Sequence, residues 1–165
     1  IFDEVMKAGA EFGIKPFGIR AMDAMRLEKS YRLIPREMSI EYSALESGLD
    51  RFVQLDKACD FIGKQALLDW KNRGFDNQFV TLEVHGIKDA DARGSEAIYK
   101  DGSIVGRATS GGYGFRIGKS LALGMIHPNL ADVGTTMEIE ILGKRYQATV
   151  IEESPYDPKN VALRS

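Results

Sequence analysis

Apolar residues recur every third or fourth position in the first half of the chain and every second position in the second half. The pattern predicts helices followed by strands. Phe2, Val5, Met6 and Phe12 fall at helical spacing, with Gly13 as a stop. Residues 14–18 read as a connector, because Pro16 disfavours helix at the residue before it. A second helix is expected over residues 20 to about 31, with Met22, Met25 and Leu33 apolar and Asp23, Arg26, Glu28 and Lys29 charged. Pro35 stands at its end or just beyond. A third helix, residues 63–73, places Ala66, Leu67 and Trp70 on one face and stops at Gly74.

From about Gln78 the period becomes two. Phe79-Val80-Thr81-Leu82-Glu83-Val84 is rich in strand formers, and the pair Asp101-Gly102 is a hairpin signal ahead of a strand at 103–109. Further strands are expected at 119–126, 136–142 and 145–151, with Gly143-Lys144 turning between the last two. Five or six short strands at this spacing predict a small antiparallel barrel or sandwich. The linker between the halves falls weakly at 72–77, so the expected class is α+β, with a helical unit over 1–77 and a strand unit over 78–165.

Composition narrows the function classes. Hydrophobic residues at 44% and charged residues at 28% of 165 exclude a collagen, a mucin-like stalk and a disordered tail. Lys+Arg 22 against Asp+Glu 24 gives a net charge of −2, which leaves no basic surplus for nucleic acid. No apolar run approaches the roughly 18 residues of a membrane helix. The single cysteine, Cys59, has no internal disulfide partner and suits a reducing compartment. The opening Ile1-Phe2-Asp3-Glu4-Val5-Met6 is already in amphipathic register, unlike a signal or transit peptide, and reads as a start inside a helix of a longer protein.

His85 and His127 are far apart and Cys59 has no second thiol, so no metal-ligand spacing is present and no nucleophilic triad suggests itself. The run Ser110-Gly111-Gly112-Tyr113-Gly114-Phe115-Arg116-Ile117-Gly118-Lys119-Ser120 ends like a phosphate-binding loop. That motif requires glycine where Tyr113 stands and must open a helix, whereas the sequel reads as strand. A dinucleotide fingerprint fails at Ile117. Two readings of the run stay open: a hairpin connection needing positive φ at several glycines, or a loop letting backbone and the Tyr113 ring approach a ligand. On the second helix Arg26 lies between Met25 and Leu27, one turn after Asp23, within reach of an ion pair. It reads either as part of a solvated charged face or as a cation beside an apolar cavity, suited to a carboxylate or a planar heteroaromatic ring.

The run Ala24-Met25-Arg26-Leu27-Glu28-Lys29-Ser30-Tyr31-Arg32-Leu33 resembles the Arg-Leu-Glu-(Lys/Ala)-Gly segment of the glycine-cleavage T-protein (aminomethyltransferase) family. Leu45-Glu46-Ser47-Gly48-Leu49-Asp50-Arg51-Phe52-Val53-Gln54-Leu55-Asp56-Lys57 and Asp60-Phe61-Ile62-Gly63-Lys64-Gln65-Ala66-Leu67 follow in the family's order. Thr109-Ser110-Gly111-Gly112-Tyr113-Gly114, then Gly118-Lys119-Ser120-Leu121-Ala122-Leu123-Gly124, resembles its dimethylglycine and sarcosine dehydrogenase branch. The tail from Tyr156-Asp157-Pro158 through Leu163-Arg164 is also similar.

The resemblance implies the C-terminal end of the folate-binding domain over 1–77 and the family's small antiparallel β-barrel over 78–165. It implies tetrahydrofolate as cofactor, a small N-methyl amine as one-carbon donor, and a flavin domain, fused or partner, carrying FAD outside these residues. Arg26 matches a folate-contacting position, and Tyr113 is the second cofactor-binding candidate. The family's catalytic Asp falls upstream of Ile1, so no catalytic residue is assigned here and the chain alone is expected to be inactive. A folate-dependent demethylase of dimethylsulfoniopropionate-type sulfonium compounds and a non-catalytic folate-binding iron–sulfur assembly module are the alternatives. The expected location is cytoplasmic, with the mitochondrial matrix as alternative. Two positions depart from the family pattern: Ser30 where glycine is usual, and Ile34-Pro35 where many relatives carry an aromatic-glycine pair.

Overall fold

The computed structural model describes residues 1–164. Helix α1 (Phe2–Gly9) passes into a 3-10 turn at Ala10–Phe12 and stops at Gly13, whose φ of 68° no β-carbon opposes. Helix α2 (Ile19–Glu28) ends three residues earlier than its periodicity predicts. Ser30 takes φ 53°, a left-handed geometry that breaks the helix. This explains why glycine suits position 30; here the serine hydroxyl meets Thr81 Oγ1 at 2.8 Å and accepts the Ser154 N–H at 3.0 Å. After a connector that includes a cis Ile34–Pro35 bond, helix α3 (Lys64–Arg73) forms where expected, between Gly63 and Gly74. None of its residues is buried, so the predicted Ala66, Leu67 and Trp70 face covers no core in this chain.

Six antiparallel strands follow: β1 (Gln78–Val84), β2 (Ala97–Lys100), β3 (Ser103–Gly114), β4 (Lys119–Ile126), β5 (Thr136–Ile141) and β6 (Lys144–Ile151). They close as a barrel in the order β1-β4-β3-β2-β5-β6, with β6 pairing back onto β1. Asp101-Gly102 makes the predicted turn with positive φ at both residues, 51° and 82°. Leu142, expected in strand, instead joins Gly143 in a second such turn. A short helix α4 (Val161–Arg164) follows, and Ser165, the last residue of the expected strand unit, lies outside the described residues.

Strand alternation creates two cores. Val80, Leu82, Ile98, Ala122, Ile126 and Ile139 fill the barrel interior, while Phe79, Leu121, Leu123 and Met125 point outward and meet Leu27 of α2. The glycine run is where the structure differs most from the sequence expectation. Gly111, Gly112 and Gly114 lie within β3 rather than in a loop, and only Gly118, in the turn, has positive φ. The glycines serve by lacking a side chain. A β-carbon at 111 would sit 2.6 Å from Ala92 O; one at 112 would meet Leu27 at 3.0 Å, and one at 114 would meet the Glu28 side chain at 3.0 Å.

Gly111→Ala is expected to lower stability by about 1–3 kcal/mol, because backbone must move to admit the methyl group. Gly112→Ala, which meets only the end of the Leu27 side chain, should cost less. Urea denaturation midpoints of the two variants check the order, and a wild-type midpoint for Gly111→Ala would contradict it.

Candidate functional site

Helix α2 rests on β3 and β4 and carries Arg26 and its partner Asp23. The Arg26 side chain is 11% exposed, so the solvated-face reading does not hold. Its Nε donates to Asp23 Oδ1 at 2.7 Å, the pair expected from their spacing. Nη1 donates to Tyr31 O at 3.2 Å and lies 3.7 Å from Glu37 Oε2. Nη2 is buried and has no hydrogen-bond partner among the described residues. Three apolar residues of the helix do the reverse of what amphipathicity suggests. Ile19, Met22 and Met25 stand exposed, whereas Leu27 and Glu28 are buried.

Three buried glutamates hold this arrangement. Glu28 Oε1 accepts the N–H groups of Arg116 and Ile117 at 2.6 and 3.2 Å, capping the β3–β4 turn. Glu37 is fully buried; its Oε1 accepts from Thr109 Oγ1 and Ser110 Oγ, both at 2.6 Å, and its Oε2 accepts Leu33 N–H at 2.8 Å. Glu46 accepts from Ser43 N–H and hydroxyl at 2.9 and 3.0 Å and from Asn77 N–H at 3.1 Å, and so ties the connector to the entry of β1. A buried carboxylate is tolerated when donors reach it, and each of these three accepts at least two hydrogen bonds.

Arg32 is the counterpart on the other side. It donates to Ser47 O at 2.8 Å, pairs with Glu153, and stacks 3.8 Å over the Phe79 ring. A β-carbon at Gly48 would collide with its guanidinium. The segment after β6 is clasped by Lys29, whose Nζ donates to Tyr156 O, Asp157 O and Asn160 Oδ1 at 3.1, 2.6 and 2.7 Å.

Tyr113 is less engaged. It alternates with Gly112 and Gly114, which face α2, so its side chain takes the opposite face of β3 from that helix. Its half-exposed ring meets Phe115 edge-on at 5.1 Å, and among the described residues no hydrogen bond or ring contact joins it to Arg26. The histidines have local partners: His85 Nε2 lies 2.9 Å from Thr149 Oγ1, and His127 Nδ1 accepts Asn129 N–H at 3.4 Å. On the connector, burial pushes the Tyr42 hydroxyl above its ordinary range, outweighing the opposing pull of Arg107. Burial alone would lower Arg107, but hydrogen bonds and charge from Tyr42 and Glu41 raise it. The pair therefore keeps a neutral phenol and a charged guanidinium at neutral pH.

Sequence reasoning found Arg26 and its Asp23 partner but missed Glu28, Glu37, Glu46 and Arg32. Three of these lie in the quoted runs Arg26-Leu27-Glu28, Tyr31-Arg32-Leu33 and Leu45-Glu46-Ser47, where an ion beside an apolar residue was the available signal.

Fold and site together define an α+β protein in which an antiparallel barrel supports a helix whose Arg26 keeps one buried donor unpaired among the described residues. Family models agree on its kind. The GCVT N-terminal domain matches residues 1–57 and the glycine cleavage T-protein C-terminal barrel domain matches residues 77–157. The chain belongs to the glycine cleavage T-protein family. It is 44% identical over 153 residues to mitochondrial dimethylglycine dehydrogenase of Mus musculus, covering 93% of this chain and 18% of that protein. It is 34% identical over 151 residues to an aminomethyltransferase of Desulfitobacterium hafniense, covering 92% of this chain and 40% of that one. The chain thus spans well under half the length of these relatives. A crystal structure of the glycine cleavage system aminomethyltransferase T from Bartonella henselae shares the fold, with a TM-score of 0.84 at 22% identity, over 94% of this chain and 44% of that one.

Glu37→Ala is expected to destabilise the fold by about 3–5 kcal/mol, since it takes the acceptor from the Ser110 hydroxyl, leaves Thr109 only its longer bond to Leu123 O and removes a counter-charge from Arg26. Glu37→Gln keeps one carbonyl acceptor and should fall between this variant and wild type. Thermal and urea unfolding of the two variants read the order directly; equal stability of all three would contradict it.

Proposed function

We propose that the chain forms the C-terminal part of a tetrahydrofolate-dependent one-carbon transferase of the dimethylglycine or sarcosine dehydrogenase type, in which Arg26 contacts the folate. One observation carries the reading: Arg26 Nη2 is a buried donor with no acceptor among the described residues, on a guanidinium that Asp23 and Glu37 hold in place. A buried donor without a partner costs free energy, and an acceptor atom of a pterin or a carboxylate would recover it. Ile19, Met22 and Met25 of the same helix are exposed apolar side chains that a flat ring could cover. These residues therefore fit a folate, and the dimethylglycine dehydrogenases among the relatives favour that branch.

Tetrahydrofolate supplies the nitrogen nucleophile that accepts the one-carbon unit. The work left to this chain is to bind and orient: Arg26 donates to the ligand, Asp23 and Glu37 fix its plane, and the barrel holds α2 still. The carbon would come from a small N-methyl amine oxidised at a flavin on a fused or partner domain. In this reading residues 1–77 complete the folate-binding domain and 78–165 form its barrel. No helix among the described residues is long and apolar enough to cross a membrane. The reading places the protein in the cytoplasm or, as the names of the mitochondrial dimethylglycine dehydrogenases suggest, in the mitochondrial matrix.

In the polypeptide that carries these residues with the rest of its folate-binding domain, Arg26→Ala should weaken 5-formyltetrahydrofolate binding by about 30-fold, or about 2 kcal/mol. Tyr113→Ala should change it far less, because that ring stands on the opposite face of β3 from α2. Calorimetric titration, with circular dichroism to confirm folding, makes the measurement; unchanged affinity in a folded Arg26→Ala protein would overturn the assignment. The 165-residue chain alone should form no methylenetetrahydrofolate. Turnover by the purified chain would show that the catalytic group lies within it.

A further inference from the structure

Where the connector after α2 crosses the barrel, the described residues bound an open cleft of about 370 Å³. Its walls include Arg36 and Glu41 of the connector, Arg93 and Ser95 of the loop before β2, and Arg107 and Thr109 of β3. Arg107 is already engaged, with Nε donating to the Tyr42 hydroxyl at 2.8 Å and the guanidinium paired with Glu41. Among the described residues, the other two guanidinium groups have no carboxylate. Arg36 reaches only Ser110 Oγ, at a long 3.4 Å. Arg93 is exposed and bonds through its backbone N–H alone, to Glu96 Oε1 at 2.7 Å. Three arginines thus face one lining glutamate, a local excess of positive charge on a chain whose net charge is −2.

The loop chemistry indicates which anion fits. A phosphate site is commonly built from converging backbone N–H groups. Here the N–H groups of Arg93 and Gly94 are both consumed by the Glu96 carboxylate, and that of Ser95 donates to Ala108 O at 2.8 Å. What remains free is two planar guanidinium forks; their geometry suits carboxylate and phosphate alike, and it is the lack of a free backbone N–H nest that favours carboxylates here. The loop lies close against β3, since a β-carbon at Gly94 would sit 2.8 Å from Thr109 O.

We propose that this cleft binds an oligocarboxylate, with one carboxylate taken by Arg36 and another by Arg93. The ligand chemistry could come from a γ-linked glutamate chain, such as the tail of a folate, or from a free tricarboxylic acid. The inference rests on the cleft itself and stands whether or not Arg26 contacts a pterin.

The test titrates the ¹⁵N-labelled 165-residue chain at low ionic strength with γ-linked triglutamate, citrate and inorganic phosphate, none of which contains a pterin. Saturable shifts are expected at Ser39, Gly94 and Ser95 with at least one carboxylate probe. The Arg36→Gln/Arg93→Gln double variant, changed at two exposed side chains, should bind that probe at least about tenfold more weakly. Lys7→Gln/Lys15→Gln removes the same charge from exposed sites outside the cleft and should stay within about twofold of wild type. Triglutamate binding the tighter identifies a glutamate chain, and citrate binding as tightly or more so identifies a free acid; both support the proposal. No saturation by either carboxylate at roughly 10 mM would overturn it, since a specific site should reach millimolar affinity. Equal weakening by the two double variants, or tighter binding of phosphate than of both carboxylates, would overturn it as well.

Discussion

Helix α2 comes within touching distance of the β3 backbone because Gly112 and Gly114 put no side chain beneath it. Leu27 and Glu28 of α2 occupy the space that β-carbons there would fill. Because the helix comes so close, Glu28 reaches the β3–β4 turn and caps two of its N–H groups. The same approach brings Ser30 to Thr81 on β1 and lets Lys29 hold the segment that follows β6. Opening this contact would release the capped turn, the clasped tail and the frame around Arg26 together.

The frame is polar where a core is usually apolar. Glu28, Glu37 and Glu46 are each at most 3% exposed, yet each accepts at least two hydrogen bonds through its carboxylate. Such groups are costly to bury alone and rigid once satisfied, because any rearrangement strands a donor or an acceptor. Rigidity of this kind suits a binding site, since a guanidinium held by Asp23 and Glu37 loses little freedom when a ligand arrives. Arg32 applies the same logic to the connector, which it ties to Glu153 beyond β6.

The sequence made some of this legible and concealed the rest for physical reasons. Arg26 and Asp23 lie three residues apart on one helix, so their ion pair is a local property. The role of Glu37 depends on Thr109 and Ser110, more than 70 positions away, and no local pattern announces it. The glycine run shows how a correct observation supports a wrong mechanism. Glycine is chosen both for positive φ and for lack of bulk, and only the neighbour across the contact tells which. At 112 and 114 that neighbour is α2. Ser30 is the converse case: its backbone is left-handed where glycine would be at ease, and its hydroxyl finds partners on β1 and on the chain after β6.

By itself the sequence determined which segments coil and which extend, because period and turn chemistry act over a few residues: β4 falls where alternation placed it, and α3 lies between the glycines that bound it. It also carried the family's order of motifs. Tertiary structure alone decided that the strands close into a barrel, that α2 turns charged Arg26 inward and apolar Met22 and Met25 outward, and that two free arginines share a cleft. Those outcomes depend on which distant surfaces meet and on which donors remain unpaired when they do, quantities that exist only once the chain has folded.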